Sequence, residues 1–407
     1  MGSGFFPPDA ELGLLPGGLS ATLAEGLTRL AAWMPFAQAA EQLAFFWGVR
    51  LDAATVRRQA EAAGAAYVEL QTAEVERLER EASEPPVGPA VQQVSADGAM
   101  VPLVGGRWAE ARTVAIGTVT TETEDGGEAC GEVHATELSY SSRLADHEAF
   151  IHLAHVELHR RGTETAGLVV GVQGGAAWEQ QLLDRYRPDA VRILDFPHTL
   201  EHPGSAARAA FGDGTAAAAA WLDEQAGALK RGPPETVLAA VRALPAAAAS
   251  DPTAAAATRD GTLGYLEKRR EQIHYAAFLA AGYPIGSGLV EGGQKVVAQA
   301  RLKGAGMHRA PGHVNPMLAL RNIACADRWA EAWPLICDQR RARSQHTRAT
   351  RARRGRADLA AAPADPAPVE PASGGPSRPK LVVDGRPTAA HPWKRPFLAG
   401  GRARAAS

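Results

Sequence analysis

The sequence predicts an α/β fold in which a mixed sheet is interrupted by a long helical segment. Three runs rich in β-branched residues follow one another at 91–103, 112–122 and 137–144, with turn residues between them. This pattern is typical of an antiparallel meander. Two short apolar runs, 166–172 and 190–196, then alternate with helical segments, which indicates buried parallel strands.

Composition gives the broad class of the protein and little else. The 407 residues are 45% apolar and 22% charged, enough for a globular chain of two or three domains. A net charge of -2 does not point to nucleic acid, so any DNA-binding surface has to come from local clusters. Three cysteines are too few for a disulfide framework, and no apolar window suits a membrane. We expect a soluble, cytoplasmic protein.

The first 83 residues are expected to form a helical DNA-binding region. Apolar residues recur at three- and four-residue spacing from 20 to 82, and a turn at Gly48 precedes Asp52, a suitable helix N-cap. This outline matches a helix-turn-helix, with Arg57 and Arg58 near the start of its second helix as candidate DNA contacts. The proline-rich segment 84–90 marks the boundary.

The remaining segments have different compositions. Residues 91–198 have the order three strands, helix, strand, helix, strand, with the first helix capped at Asp146, which is the order of a ribonuclease-H-like sheet. Residues 199–280 are alanine-rich and predict an all-helical insertion, and 281–337 return the chain to the core. Residues 338–407 are arginine-rich and then proline- and alanine-rich, so we expect a tail that is disordered until bound.

Two acids stand in settings that suit metal chemistry. Asp97 is predicted to end a strand, although its Asp-Gly pair is also an ordinary turn signal. Glu291 lies near a helix N-terminus among glycines that allow close approach, although a solvated glutamate is common there. Cleavage of a phosphodiester by two divalent ions requires carboxylates from distant parts of the chain. Asp97 and Glu291 are therefore the candidate ligands of two Mg²⁺ ions, with Mn²⁺ as a possible replacement.

Further candidates surround these acids. The basic residues that follow Glu291 are candidate phosphate contacts or simply a solvated helix face: Lys295, Arg301 and Lys303. The run Asp195-Phe-Pro-His198 is followed by His202. The two histidines have the i, i+4 spacing of a zinc site. Asp195 and His198 are equally well explained as a hydrogen-bonded pair at a strand end, because no matching cluster of Cys or His occurs elsewhere.

With these motifs in place, the chain resembles a bacterial insertion-sequence transposase family of the DDE type, often called Kra-type and related to the Mutator-like group. The resemblance spans nearly the whole chain and depends on five runs: 35–49, 97–103, 194–198, 282–308 and 317–322. It implies a triad of two aspartates and a glutamate, with Asp97 as the first acid and Glu291 as the glutamate. Asp195 and His198 match a motif of related families and are further catalytic candidates. The second aspartate is replaced by Gly174.

The resemblance implies metal-dependent cleavage of double-stranded DNA at terminal repeats, joining of the 3′ end to target DNA, and a homo-oligomer on the DNA. Loss of a bridging carboxylate at Gly174 is expected to weaken the metal site. A catalytically inactive protein that still binds the repeats is the alternative. An intracellular phosphoesterase on the same sheet is a third possibility, but it leaves the N-terminal helices and the arginine-rich tail unexplained.

Overall fold

The computed structural model describes residues 13–121, 133–245, 250–304 and 306–361, together with 382–383 and 386–387. The chain divides into two compact units, Met1–Arg348 and Ala349–Ser407. Cys130 lies outside the described residues, whereas Cys325 and Cys337 are free thiols. Among the described helices, none has the length and apolar character needed to cross a membrane.

Helices make up most of the chain. The N-terminal region holds α1 (Ala21–Trp33), α2 (Phe36–Trp47) and α3 (Ala53–Glu81). The central helices are α4 (His147–Arg160), α5 (Ala177–Tyr186), α6 (Phe196–Phe211), α7 (Ala216–Arg231), α8 (Pro234–Arg242), α9 (Pro252–Lys268) and α10 (Tyr275–Ala280). The last are α11 (Gly288–Gly293), a π-helical segment (Gln294–Gln299), α12 (Ala300–Leu302), α13 (Val314–Cys325) and α14 (Trp329–Ala361).

One mixed sheet of five strands forms the centre of the first unit. Its strands are β1 (Val91–Pro102), β2 (Trp108–Thr121), β3 (Val133–Leu144), β4 (Leu168–Gln173) and β5 (Val191–Leu194), in the spatial order β3-β2-β1-β4-β5. β1, β2 and β3 pair antiparallel, whereas β4 is parallel to both β1 and β5. The predicted α/β class and the predicted order of elements are confirmed. The second unit contains a two-stranded pair, β6 (Val382–Val383) and β7 (Arg386–Pro387).

The helix boundaries follow local capping chemistry. Asp52 accepts a hydrogen bond from the Thr55 amide at 2.7 Å, and Asp146 accepts one from the Ala149 amide at 2.8 Å, so both predicted N-caps are present. The turn before α3 begins at Gly48, whose φ of 65° lies in the left-handed region. These contacts satisfy amides that a helix start would otherwise leave unpaired.

The N-terminal helices share a hydrophobic core with the end of the first unit. Buried side chains of α1 and α3, such as Leu27 and Ala63, belong to the same cluster as Met317 and Leu320 of α13. A Cβ at Gly64 would lie 2.1 Å from the backbone oxygen of Pro316, so α3 and α13 approach closely because this residue is glycine. The helical region before residue 84 therefore packs as part of the first unit.

Three details differ from the sequence-based expectations. Asp97 lies inside β1, because pairing with β2 carries this strand to Pro102. The boundary drawn at 198/199 falls within α6. Of the tail expected to be disordered from residue 338, residues 338–361 belong to α14, since no glycine or proline interrupts 335–354 and arginine favours helices, and most of the rest lies outside the described residues.

Two asparagines of α13 cover the outer edge of β3. Asn322 accepts from the Ser142 amide at 3.1 Å and donates to its carbonyl at 3.3 Å. Asn315 makes the same pair of contacts with Leu144, at 2.7 and 3.0 Å. Asn322 and Ser142 are fully buried, so water cannot replace the asparagine amide there.

We expect Asn322→Ala to lower the free energy of unfolding by about 2–4 kcal/mol, because it leaves a buried amide and a buried carbonyl without partners. Urea denaturation followed by circular dichroism measures this loss. Asn315→Ala is the matched control and should cost less, since Asn315 is only partly buried. Equal losses for the two variants would contradict the assignment.

Candidate catalytic site

The register of the parallel strands brings three positions to one level of the sheet. Val94 of β1 lies opposite Gly171 of β4, and Gln173 of β4 lies opposite Leu194 of β5. Continuing the first register by three residues places Asp97 level with Gly174, and continuing the second by one places Gly174 level with Asp195. Because β4 ends at Gln173 while β1 continues to Pro102, Asp97 borders the space beyond the end of β4.

Asp97 lies in a partly buried, acidic setting. Its Oδ1 accepts a hydrogen bond from the Gly98 amide at 2.7 Å. Burial raises the pKa of Asp97, and the charge of Glu110 raises it further. The Gly98 amide, His198 and Gln294 act in the opposite direction and lower this pKa. A Cβ at Gly98 would lie 2.0 Å from Oε1 of Glu110. Glycine at 98 therefore admits the Glu110 side chain rather than leaving Asp97 uncrowded.

Gly174 leaves room for a side chain. A Cβ built there would meet only the His198 ring, at 3.5–3.7 Å, which is ordinary van der Waals contact. The turn itself is fixed from the helical insertion, because Tyr265 donates to the Gly174 carbonyl at 3.4 Å and Arg269 to the Gly175 carbonyl at 2.8 Å. Position 174 therefore has room for a Cβ.

Glu179 is a buried acid that the sequence analysis did not select. It is 3% exposed, and its Oε2 accepts from the amides of Gly175 and Ala176 at 2.9 and 3.1 Å. Burial, followed by the charge of Asp97, raises its pKa to about 7. A glutamate at the third position of a helix is a known capping signal, and this position is what could have identified it.

Asp195 connects the end of β5 to the loop that carries Glu291. The side chain is fully buried; its Oδ2 accepts from the His198 amide at 2.9 Å and its Oδ1 from the Ser287 amide at 2.5 Å. Ser287 then donates from its hydroxyl to Glu291 Oε1 at 3.1 Å. Asp195 therefore positions the amides of His198 and Ser287, and through Ser287 it is connected to Glu291.

His198 and His202 occupy different surroundings. The His198 imidazole is half-exposed beside position 174, with Nδ1 3.9 Å from Asp195 Oδ2. The His202 ring stacks on Tyr265 at a centroid distance of 3.6 Å, and its pKa is lowered mainly by burial. No described group of three metal-ligating side chains includes either histidine. His202 therefore packs against Tyr265, and its spacing from His198 follows from that contact.

Glu291 is exposed on the short helix α11, which packs against β1 and β2. A Cβ at Gly293 would lie 2.7 Å from the Tyr140 ring, so glycine allows this close packing. The next residue, Gln294, is buried beside Asp97, and its side-chain amide lowers the pKa of that carboxyl. Asp97 and Glu291 belong to no described group of three His, Cys, Asp or Glu side chains whose ligand atoms lie within 4.8 Å of one another.

Four of the five basic candidates are exposed: Arg57, Arg58, Lys295 and Lys303. Arg301 differs, since it is 2% exposed, donates to the Ala31 carbonyl at 3.0 Å and stacks on Phe36 at 4.7 Å. Burial lowers the pKa of Arg301 to about 10. Arg57 and Arg301 border a cleft of about 450 Å³ beside the Met307 loop. Arg301 therefore packs α12 against α1 and the start of α2.

The raised pKa of Glu179 predicts a pH-dependent stability. Neutral Glu179 is favoured in the folded state, so its contribution is complete below the ordinary pKa of 4.5 and is lost as pH rises to about 7. We expect Glu179→Gln, in metal-free buffer, to be more stable than the parent above pH 7 by up to about 3 kcal/mol. Thermal and urea unfolding from pH 4 to 8 measure the difference. The exposed Glu148→Gln is the control, and a Glu179→Gln chain that is less stable throughout would contradict the prediction.

Comparison with known proteins adds no relative to this description. No protein-family model matches the chain, and no curated protein matches it. The function is therefore inferred from the geometry of Asp97, Gly174, Asp195 and Glu291 and from the sequence motifs around them.

Proposed function

We propose that this chain is a DDE-type transposase of a bacterial insertion sequence, acting on double-stranded DNA at the ends of the element. The observation that carries the proposal is the parallel pairing of β1 and β4 up to Val94 and Gly171, because its continuation by three residues would align Asp97 with Gly174, where the resembled family has its second aspartate. Antiparallel β1–β3 followed by parallel β4 and β5 supports a ribonuclease-H-like sheet. Helices α2 and α3, joined by the turn at Gly48, support a helix-turn-helix region.

The ligand chemistry of the site fits Mg²⁺, and its ligand number is one carboxylate short. Asp97 and Glu291 offer the oxygen donors that Mg²⁺ prefers, and either acid would accept Mn²⁺ as well. The space beside His198 at Gly174 is where a third carboxylate would fit. Bound divalent ions would supply an activated water and charge stabilisation for cleavage of the phosphodiester. Asp195 holds the Ser287 amide and thereby the start of α11, and so orients Glu291.

The DNA-binding surface in this proposal consists of exposed basic side chains. Arg57 and Arg58 lie in the first turns of α3, where Arg58 donates to Thr55 at 2.7 Å. Lys295 and Lys303 are exposed on the segment that follows Glu291. Phosphate contacts of this kind give affinity that falls steeply with salt. Pairing of two element ends requires at least two copies of the chain on DNA.

Because Gly174 replaces the second aspartate, we expect the chain to have a low rate of DNA cleavage. We expect the purified chain to cleave and join labelled duplexes from the flanks of its gene slowly in Mg²⁺, and Gly174→Asp to raise the rate by about 100-fold or more. The physical reason is a third carboxylate at the level of Asp97. Gly174→Asn is the matched control, because it has the same shape without the charge.

Equal rates for the Gly174→Asp and Gly174→Asn variants would overturn the proposed metal site. In the Gly174→Asp background, Asp97→Asn should abolish the product while leaving DNA binding intact. The alternative function is that of a DNA-binding protein without catalysis, because Gly174 lacks the carboxylate of the second aspartate. It requires selective, salt-sensitive binding of the terminal repeats and no product from either the parent chain or Gly174→Asp.

A further inference from the structure

A group of metal-ligating side chains lies at the end of α4 and in the turn that follows it. His155 Nε2 is 3.3 Å from Glu164 Oε1, and His159 Nδ1 is 3.1 Å from the same oxygen. All three ligand atoms lie within 4.8 Å of one another, and in the described part of the chain this is the one group of three that meets that distance. Two imidazoles one helical turn apart therefore converge on a single carboxylate oxygen.

The spacing of these atoms suits a tetrahedral metal. Zn²⁺ binds imidazole nitrogen and carboxylate oxygen at about 2.0–2.2 Å, so neighbouring ligand atoms in a tetrahedron lie about 3.3–3.6 Å apart. The nitrogen–oxygen distances of 3.3 and 3.1 Å are at or just below that range. Two histidines and one glutamate are a known zinc ligand set, in which water takes the fourth position.

The other oxygen of Glu164 is an independent sign of a missing partner. Oε2 is buried and has no hydrogen-bond partner among the described residues. Burial of an unpaired carboxylate oxygen is unfavourable, and a cation at Oε1 would compensate the charge of the whole group. His155 and His159 both contact Oε1 of Glu164, whereas Oε2 has no partner among the described residues.

The ligands are held in place by their surroundings. The His155 ring stacks on Tyr186 at 4.8 Å with an interplanar angle of 21°, and Tyr186 donates to the Ile151 carbonyl at 3.1 Å. Gly162, with a φ of 60°, ends α4 and starts the turn that carries Glu164. The three side chains keep 15–25% exposure, so an ion and a water can reach them.

We propose that His155, His159 and Glu164 bind a Zn²⁺ ion that joins the end of α4 to the turn before β4. The group lies where β4 begins, whereas Asp97 and Gly174 lie where β4 ends, so it is separate from the candidate catalytic site. The ion fixes the entry of β4 into the sheet and takes no part in phosphodiester chemistry. This proposal does not depend on the proposed transposase function.

The test is Zn²⁺ binding to the full-length, untagged chain, measured by competition with a chromophoric chelator. We expect one ion per chain with micromolar or tighter affinity, unaffected by millimolar Mg²⁺ because Mg²⁺ prefers oxygen ligands. His159→Gln and Glu164→Gln should each weaken binding by about tenfold or more. His152→Gln is the matched control on the same helix, since His152 pairs with Glu79 instead, and it should leave the affinity unchanged.

Two measurements on the parent chain keep the proposal testable if a variant fails to fold. Co²⁺ in place of Zn²⁺ should give the visible absorption of a tetrahedral site. Zn²⁺ should protect His155 and His159, but not His152, from modification by diethyl pyrocarbonate. Absence of stoichiometric Zn²⁺ binding, or equal affinity in the parent chain and Glu164→Gln, would overturn the proposal.

Discussion

The parallel register of β1, β4 and β5 is the constraint on which the candidate catalytic site depends. A shift of one residue in either pairing would turn Asp97 or Asp195 to the opposite face of the sheet. The register is supported by buried apolar side chains on both faces, including Val94, Val170 and Ile193. Apolar packing of the strands thus fixes the register on which the relative positions of Asp97 and Asp195 depend.

Hydrogen bonds to the Asp195 carboxylate connect the sheet to a segment nearly one hundred residues later in the chain. The amide of Ser287 reaches Asp195, and the amide of Phe196 reaches the Ile285 carbonyl at 2.9 Å. These two contacts return the chain to the sheet after the helical insertion. The insertion in turn holds the Gly174–Gly175 turn through Tyr265 and Arg269. The Gly174–Gly175 turn and the loop before Glu291 are therefore each positioned by an element other than the one that carries them.

Local patterns in the sequence predicted the order of strands and helices and the caps at Asp52 and Asp146, because these features depend on neighbouring residues. The run 91–103 matches β1, but the placing of Asp97 at a strand end was wrong, since pairing with β2 continues on both sides of this residue. The burial of Arg301 was also missed, because its partners Ala31 and Phe36 lie about 270 residues away.

The residues of the candidate site show the same difference between features that local sequence reveals and features that only tertiary packing creates. Asp97 and Glu291 were identified from glycine-rich motifs that are visible in the sequence. Glu179 and Gln294 were not, because their proximity to Asp97 arises only when α5 and the π-helical segment pack against the sheet. The third helix position of Glu179 is a capping signal, but the burial of its carboxyl and its proximity to Asp97 depend on packing.

The asparagine contacts on β3 also bear on solubility. β3 is an outer strand of the sheet, and unpaired backbone groups on such a strand can pair with another chain. Asn315 and Asn322 occupy these groups at Leu144 and Ser142 with side-chain amides, which imitate a neighbouring strand. Copies of this chain therefore cannot join by extending the sheet at that end of β3. Loss of either asparagine would expose backbone groups through which the sheets of two chains could pair and aggregate.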